Sequence, residues 1–216
     1  MPVLRHAFQG RSSDRQPKTG WSGPGVQPHT PPVHAARSKA DLLDAIRSGN
    51  RVKYLFFWNQ NLPGSTVHKG CLSQWYPSPF TSEGDTFATA EHYMMWRKAV
   101  LFGDRATAAS ILAAGHPRQA RDLGRRVRDF DQATWEAERF GIVVDGSTLK
   151  FTADPELRAF LLATGDRVLV EASPLDRIWG IGLTEDDPRA TDPDRWRGLN
   201  LLGFALAETR TRLRDQ

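Results

Sequence analysis

This chain of 216 residues contains little cysteine and no long apolar run. The single cysteine, Cys71, cannot form an internal disulfide, and no Cys and His residues show zinc-finger spacing. This cysteine usage favours a reducing compartment, and we expect a cytoplasmic protein. No segment approaches the roughly 20 apolar residues of a membrane span, and the first residues lack the apolar stretch of a signal peptide. We therefore expect no membrane partner.

The sequence also lacks the short motifs of several common enzyme classes. It contains no Gly-x-Gly-x-x-Gly and no Gly-x-x-x-x-Gly-Lys segment, so dinucleotide sites and P-loops lack their anchoring residues. A Gly-x-Ser-x-Gly nucleophile elbow is absent as well. His92 follows Glu91, but the two are not part of a His-Glu-x-x-His zinc helix. We expect no metal and no cofactor.

Positive charge is concentrated near the start of the chain. The formal net charge is +4, whereas the first 40 residues alone carry a balance of +5, so the remainder is close to neutral. The first residues are also rich in Pro, Gly, Ser and Gln, which predicts a flexible basic extension over 1–37. Such a tail can attract nucleic acid in a salt-sensitive way. Residues 38–216 have the length of one domain.

Apolar spacing and capping residues predict a compact, mostly helical α+β domain with a small set of strands. Regular βαβ alternation is missing, which excludes a doubly wound sheet. Helices are expected over 38–49, 89–102, 104–114, from 117, over 131–138 and 154–165, and after Asn200 as a cap. Strands are expected over 54–58, 167–172 and 178–183, with an edge hairpin near 76–85 and a loop over 59–70.

The first stretch that a packed core does not require is 91–98, where acid, base and indole side chains occur together. Glu91, Met94, Met95 and Lys98 share one face of the predicted helix. Glu91 and Lys98 are about 10 Å apart along the helix axis, too far for an ion pair, so each needs another partner. A half-buried helix with two solvated ends is the alternative interpretation.

The second stretch is 171–182. Glu171 ends a predicted buried strand, and Asp176, Arg177 and Trp179 follow it in a turn. Acids at a strand end are held rigidly where a ligand can reach them. The alternative is an ion pair between these acids and an arginine that only fixes the loop.

Ordered sequence blocks resemble those of the NADAR family, also called YbiA-like, from about residue 52 to the C-terminus. Residues 1–50 lie outside the family pattern, and Gln74-Trp75 stands where the usual block reads Asn-Phe. The blocks are Trp75–Phe80, Thr89–Met95, Lys98-Ala99, Phe102–Asp104, Leu123–Arg125, Lys150-Phe151, Leu161–Gly165, Leu169–Pro174, Asp176–Gly182 and Gly198–Gly203.

The resemblance implies a compact α+β fold and N-glycosidase activity, which is hydrolysis of a bond between a ribosyl carbon and a nitrogen. Family members are associated with cleaving ribosylamino-pyrimidine phosphates, which are riboflavin pathway intermediates. Others are associated with removing ADP-ribose from guanine in nucleic acid. The implied partner is therefore a small phosphorylated ribosylamine or an ADP-ribosylated guanine. A non-catalytic module that binds a nucleotide or ADP-ribose is a third possibility.

By motif position, the resemblance implies that Glu91, Lys98 and Asp176 are catalytic. Glu91 or Asp176 suits stabilisation of a cationic sugar, while Lys98 could donate a proton or attack the sugar carbon and form a Schiff base. Trp179 would stack on the heterocycle, and arginines such as Arg125 could hold a phosphate. The substrate-binding candidates are Trp179, Glu171, Arg177, Asn200, Arg125 and Tyr93.

Overall fold

The computed structural model describes residues 33–58 and 67–216. Nearly all of the predicted N-terminal extension and most of the predicted loop over 59–70 lie outside these ranges. The described part contains helices α1 Lys39–Arg47, α2 Ala90–Leu101, α3 Arg105–Leu112, α4 Pro117–Gly124, α5 Gln132–Ala153, α6 Pro155–Ala163 and α7 Leu201–Arg214, and strands β1 Tyr54–Phe57, β2 Phe80–Ser82, β3 Asp85–Phe87 and β4 Val168–Glu171. This is the mostly helical α+β architecture that the sequence predicts, and that prediction is confirmed.

The helix starts follow from side chains that cap them. Each of the five residues before α1, α2, α3, α5 and α6 accepts a hydrogen bond from a first-turn amide through its side-chain oxygen. These caps are Ser38, Thr89, Asp104, Asp131 and Asp154. The cap at Thr89 fixes Glu91 in the first turn of α2.

Helix α5 is much longer than the sequence predicts. It continues past Glu138 to Ala153 because its later residues, among them Val143 and Phe151, are buried in the core. Gly146 lets the helix approach α2 closely, since a Cβ there would lie 2.5 Å from Cδ1 of Tyr93. Tertiary packing therefore extends this helix beyond its local signals.

The predicted strand over 178–183 is wrong. Asp176 accepts the amides of Ile178 and Trp179 through Oδ1, which holds these residues in a turn. Gly182 then adopts a left-handed conformation with φ 67°, so the backbone cannot continue as a strand. One strand-like hydrogen bond remains, from the amide of Ile181 to the carbonyl of Glu171.

The strands form two small sheets. β1 and β4 are parallel, with Phe57 opposite Glu171 at their carboxyl ends, and β2 and β3 form the predicted antiparallel hairpin. One core cluster surrounds α2 and α5, and a smaller one lies around β4, α1 and the start of α7. Within the described ranges, no helix is both long and apolar enough to cross a membrane.

Candidate active site

A cavity of about 720 Å³ lies between α2, α4, the end of β4 and the turn that follows β4. Its wall combines acids, bases and aromatic rings, and it is open to solvent on one side. The lining residues are Trp58, Ser73, Gln74, Trp75, Glu91, Met94, Met95, Lys98, Arg121, Gly124, Arg125, Trp135, Glu171, Ser173, Leu175, Asp176, Ile178, Trp179 and Leu202.

Glu91 is the acid of the helical wall and is 4% exposed. Its amide donates to the carbonyl of Gln74 at 3.0 Å, which ties the start of α2 to the preceding turn. Burial raises the pKa of its carboxyl to about 7. The charge of Arg121, a hydrogen bond from the Trp75 side chain and the charge of Arg125 act in the opposite direction. The carboxyl can therefore exchange a proton near neutral pH.

Glu171 is the acid at the end of β4. Its amide donates to Oδ1 of Asn200 at 3.0 Å, and its Oε2 is buried without a hydrogen-bond partner in the part of the chain that the structure describes. Burial raises the pKa of the carboxyl to about 8, and the charges of Asp176 and Glu91 raise it further in the same direction. The protonated form is thus favoured at neutral pH.

Asp176 shapes the turn that carries Trp179. Its Oδ1 accepts the amides of Ile178 at 2.8 Å and Trp179 at 2.7 Å. This arrangement holds the Trp179 indole in the cavity wall. Asp176 therefore has a structural task in addition to any direct contact with a ligand.

Lys98 lies two turns beyond Glu91 on the same face of α2. Its Nζ is 4.1 Å from the ring centroid of Phe130 and 5.4 Å from that of Trp135. Burial lowers the pKa of its ammonium group. No ion pair involves Lys98 among residues 33–58 and 67–216, so its charge is held mainly against aromatic faces.

A family model of the NADAR domain matches residues 56–214. This chain belongs to the NADAR family. It is 42% identical over 163 residues to an N-glycosidase of Acanthamoeba polyphaga mimivirus, which covers 73% of this chain and 95% of that relative. It is 33% identical over 146 residues to an N-glycosidase of Nostoc punctiforme, covering 68% of this chain and 86% of that one.

The fold of this NADAR protein is also similar to a solved structure. The NMR structure of the Escherichia coli protein YbiA matches with a TM-score of 0.62 and 27% sequence identity. The match covers 77% of this chain and 88% of YbiA. The α+β architecture is thus shared with YbiA.

Six of the predicted site residues of this NADAR domain line this cavity. They come from α2, from the end of α4, and from β4 with its following turn, although they are distant in sequence. These residues are Glu91, Lys98, Arg125, Glu171, Asp176 and Trp179. The Met94 and Met95 side chains lie in the same wall, as the helical spacing predicts.

Three other predicted binding residues, Tyr93, Arg177 and Asn200, do not line the cavity, and their role in binding stays a prediction. Tyr93 is 2% exposed and packs against Phe87 and Trp96 on another face of α2. Arg177 is exposed and is not part of the cavity wall to which Asp176 and Trp179 belong. Asn200 is fully buried, so its amide contacts backbone and not solvent.

Asn200 does not cap α7 through its side chain either, contrary to the sequence prediction. Its Nδ2 donates to the carbonyl of Leu169 at 2.9 Å, while its Oδ1 accepts the amide of Glu171. The residue adopts a left-handed conformation with φ 56°. Its role in the structure is to join β4 to the start of α7.

Sequence reasoning missed Arg121 and the role of Trp75. The Arg121 guanidinium lies 5.1 Å from the ring centroid of Trp75, and both residues line the cavity. The departure of Gln74-Trp75 from the family pattern was the available signal for this pair. The position of Arg121 depends on how α4 packs on α2, for which the sequence holds no local signal.

Lys150 is a second missed residue, and it lies beneath the cavity. It is 1% exposed, and its Nζ donates to the carbonyl of Cys71 at 2.6 Å and of Ser73 at 2.8 Å. Burial lowers the pKa of this ammonium group to about 7. Lys150 therefore supports the turn that carries Gln74 and Trp75 into the wall.

Within the described ranges, no group of three or more His, Cys, Asp or Glu side chains is arranged to hold a metal ion. The acids of the cavity, Glu91, Glu171 and Asp176, influence one another through their charges. The expectation that the protein needs no metal or cofactor stays a prediction.

Proposed function

We propose that this chain is an N-glycosidase that hydrolyses the ribosyl C–N bond of ribosylamino-pyrimidine phosphates, the riboflavin pathway intermediates. Membership of the NADAR family and relatives named N-glycosidase support the reaction class. One observation carries the proposal: the same cavity contains the carboxyl groups of Glu91 and Glu171 and the indole of Trp179. One acid can stabilise the charge on the sugar and another can protonate the departing nitrogen, while the flat indole ring can stack on the base.

The chemistry of the reaction explains why such groups are needed. When the bond between the ribosyl carbon and nitrogen breaks, positive charge develops on the sugar and negative charge on the nitrogen. A carboxylate beside the sugar stabilises the first charge and can orient water. Glu91 suits this task, because Arg121, Arg125 and the Trp75 side chain favour its ionised form.

The arginines of α4 fit the phosphate of such a substrate. Arg125 lies in the cavity wall with 68% of its side chain exposed, and its one ion pair in the described chain is a 3.7 Å contact to Asp122. A guanidinium held this loosely can turn toward a phosphate and bind it through two parallel hydrogen bonds. Arg97 is less suited, because it pairs with Glu83 and lies outside the wall.

Two roles remain for Lys98. Its ammonium group can hydrogen-bond the ribose, or its neutral amine can attack the sugar carbon and pass through a Schiff base. The lowered pKa of Lys98 favours the neutral amine that the second route requires.

The second candidate substrate is ADP-ribosylated guanine. The outer wall of the cavity carries three exposed apolar side chains, Trp58, Leu175 and Ile178. Leu175 is 90% exposed and Trp58 48% exposed, which leaves apolar surface for a ligand longer than one nucleotide. This rim supports the larger substrate, whereas the inner acids support either one.

The test is to incubate the protein with each substrate type and follow the release of base by chromatography. We expect release from the ribosylamino-pyrimidine phosphate, and we expect Glu91→Gln to slow it by about 1,000-fold while the fold is retained. Glu138→Gln changes an exposed glutamate on α5 and should match the wild type.

Preferential release from ADP-ribosylated guanine would replace the first substrate with the second. Binding of either compound without any release would instead indicate a non-catalytic binding module. Equal turnover by Glu91→Gln and wild type, with thermal melts showing both folded, would remove Glu91 from the mechanism.

A further inference from the structure

We infer that Glu171 is the proton donor to the departing nitrogen, and that the two glutamates of the cavity therefore divide the acid and base roles. The inference rests on the proposed N-glycosidase activity and assigns a step that the family name leaves open. It also changes the role of Glu171 from ligand binding to catalysis.

The position of Glu171 gives it access to a ligand and shields it from neutralising partners. The residue ends β4 and lines the cavity, and Oε2 has no hydrogen-bond partner among the described residues. A buried carboxylate without a partner is costly, whereas a carboxylic acid can direct its proton into the cavity. A substrate nitrogen would supply the missing acceptor.

Neighbouring elements place no cation beside Glu171. The charged groups that act on it are Asp176 and Glu91, and both oppose its ionisation. β1 places Phe57 opposite it, and α7 contributes the uncharged Asn200 and Leu202 on that side. The cations of the cavity, Lys98, Arg121 and Arg125, come from α2 and α4 on the other wall.

Glu91, unlike Glu171, has cations and a hydrogen-bond donor beside it. Burial and the charge of Asp176 favour its acid form, while Arg121, the side chain of Trp75 and Arg125 favour its carboxylate. The two glutamates of the cavity thus differ in the cations and donors beside them, and such a difference in surroundings is what general acid and general base catalysis requires.

The proposed hydrolysis moves one proton from Glu171 to the nitrogen and one from water to Glu91. The carboxyl group of Glu171 transfers its proton to the departing nitrogen while the C–N bond breaks and its electron pair moves to that nitrogen. Water forms the new C–O bond at the ribosyl carbon and gives a proton to the carboxylate of Glu91. Glu91 then releases this proton to solvent, and Glu171 takes one up, which restores the starting state.

The experiment compares wild type, Glu171→Gln, Glu171→Asp and the Glu138→Gln control in two measurements. The first is the pH dependence of kcat/KM with whichever substrate the wild type hydrolyses. Wild type should lose activity at alkaline pH as Glu171 ionises. Glu171→Gln should lower kcat at least 100-fold and lose this alkaline decline, with KM nearly unchanged.

Glu171→Asp retains a carboxyl group and should restore part of the rate together with the alkaline decline, which a purely structural role would not do. The second measurement is infrared spectroscopy of the free proteins at pH 7. The carbonyl stretch of a protonated carboxyl should be present in wild type and Glu138→Gln and clearly weaker in Glu171→Gln, where only the protonated fraction of Glu91 remains.

The outcomes separate this inference from the proposed function. Turnover by wild type with an equal rate in folded Glu171→Gln would overturn the donor role alone, as would infrared spectra that show Glu171 ionised at pH 7. Absence of turnover by wild type on both substrates would overturn the N-glycosidase proposal, and the donor role with it, even if the infrared band is present.

Discussion

The two walls of the cavity present the same kind of acid in opposite surroundings. On the helical wall, Glu91 has cations from α4 and a donor from Trp75 as neighbours. On the strand wall, the charges of Asp176 and Glu91 both act against ionisation of Glu171. Burial is the main cause at both sites, and it raises the pKa to about 7 in Glu91 and about 8 in Glu171. The neighbours of a side chain, more than its type, decide which chemical role it can take.

Removing the charge of Arg121 should have the largest effect on the difference in surroundings between Glu91 and Glu171. Arg121→Met keeps an unbranched stem against Trp75 but removes the charge that lowers the pKa of Glu91. The carboxylate of Glu91 is then less populated at neutral pH, and kcat/KM at pH 7 should fall about fivefold, the loss of ionised carboxylate when a pKa of about 7 rises by one unit.

The measurement is a pH profile of hydrolysis with Arg121→Lys as the matched control. The acidic limb of the profile should move to higher pH in Arg121→Met and much less in Arg121→Lys, because the lysine keeps a positive charge. An unmoved limb in Arg121→Met would show that Arg121 does not influence Glu91.

Glu171, on the strand wall, should make the free energy of unfolding depend on pH. The pKa of Glu171 is higher in the folded protein than the ordinary value of 4.5, so the native state binds more protons than the unfolded state between pH 4.5 and about 8. The free energy of unfolding should therefore decrease as pH rises through this window. The residue is partly exposed, so we expect the contribution of Glu171 to be about 1 kcal/mol.

Urea unfolding at pH 5 and pH 8 measures this contribution. Glu171→Gln should lose less stability between the two pH values than wild type does, because glutamine does not ionise. The exposed-site variant Glu138→Gln should follow wild type. Identical slopes for Glu171→Gln and wild type would argue that Glu171 ionises normally in the folded state.

A smaller effect is expected from Asp176→Asn. The amide oxygen of asparagine can still accept the backbone N–H groups of Ile178 and Trp179, so the turn should persist. Loss of the like charge should lower the pKa of Glu171, move the alkaline limb of the rate profile to lower pH and reduce activity at pH 8 about threefold.

For Asp176→Asn, two quantities are measured: the position of the alkaline limb of the pH–rate profile and the loss of activity at pH 8. A loss of 100-fold or more with an unmoved limb would show that Asp176 acts on the substrate itself, as the family resemblance implies. Thermal melts of Asp176→Asn and wild type would check that the variant is folded.

Much of the fold could be predicted because its signals are local. Ser38, Thr89 and Asp154 mark helix starts through bonds to amides two or three residues later. The length of α5 could not be predicted, since it depends on the contact between Gly146 and Tyr93 from a distant helix. The segment after Asp176 has strand-like apolar residues, yet a single side chain holds their amides in a turn.

The site divides in the same way. The shared face of Glu91, Met94, Met95 and Lys98 follows from helical spacing and needs no knowledge of the fold. The surroundings of Glu171 could not be predicted from spacing, because they depend on how β4 packs against α7 and the turn after β4. The exclusion of Tyr93 from the cavity likewise depends on which side of α2 faces α5 and the hairpin.

The junction between β4 and α7 limits how this chain can be recombined with its relatives. At Gly203 any Cβ would overlap the carbonyl oxygen of Leu169, so the helix rests directly on the strand backbone. Asn200 then fixes the amide of a residue 29 positions earlier. A chimera should inherit both segments from one parent, whereas the side chain of Leu175 on the outer rim is 90% exposed and can differ between parents.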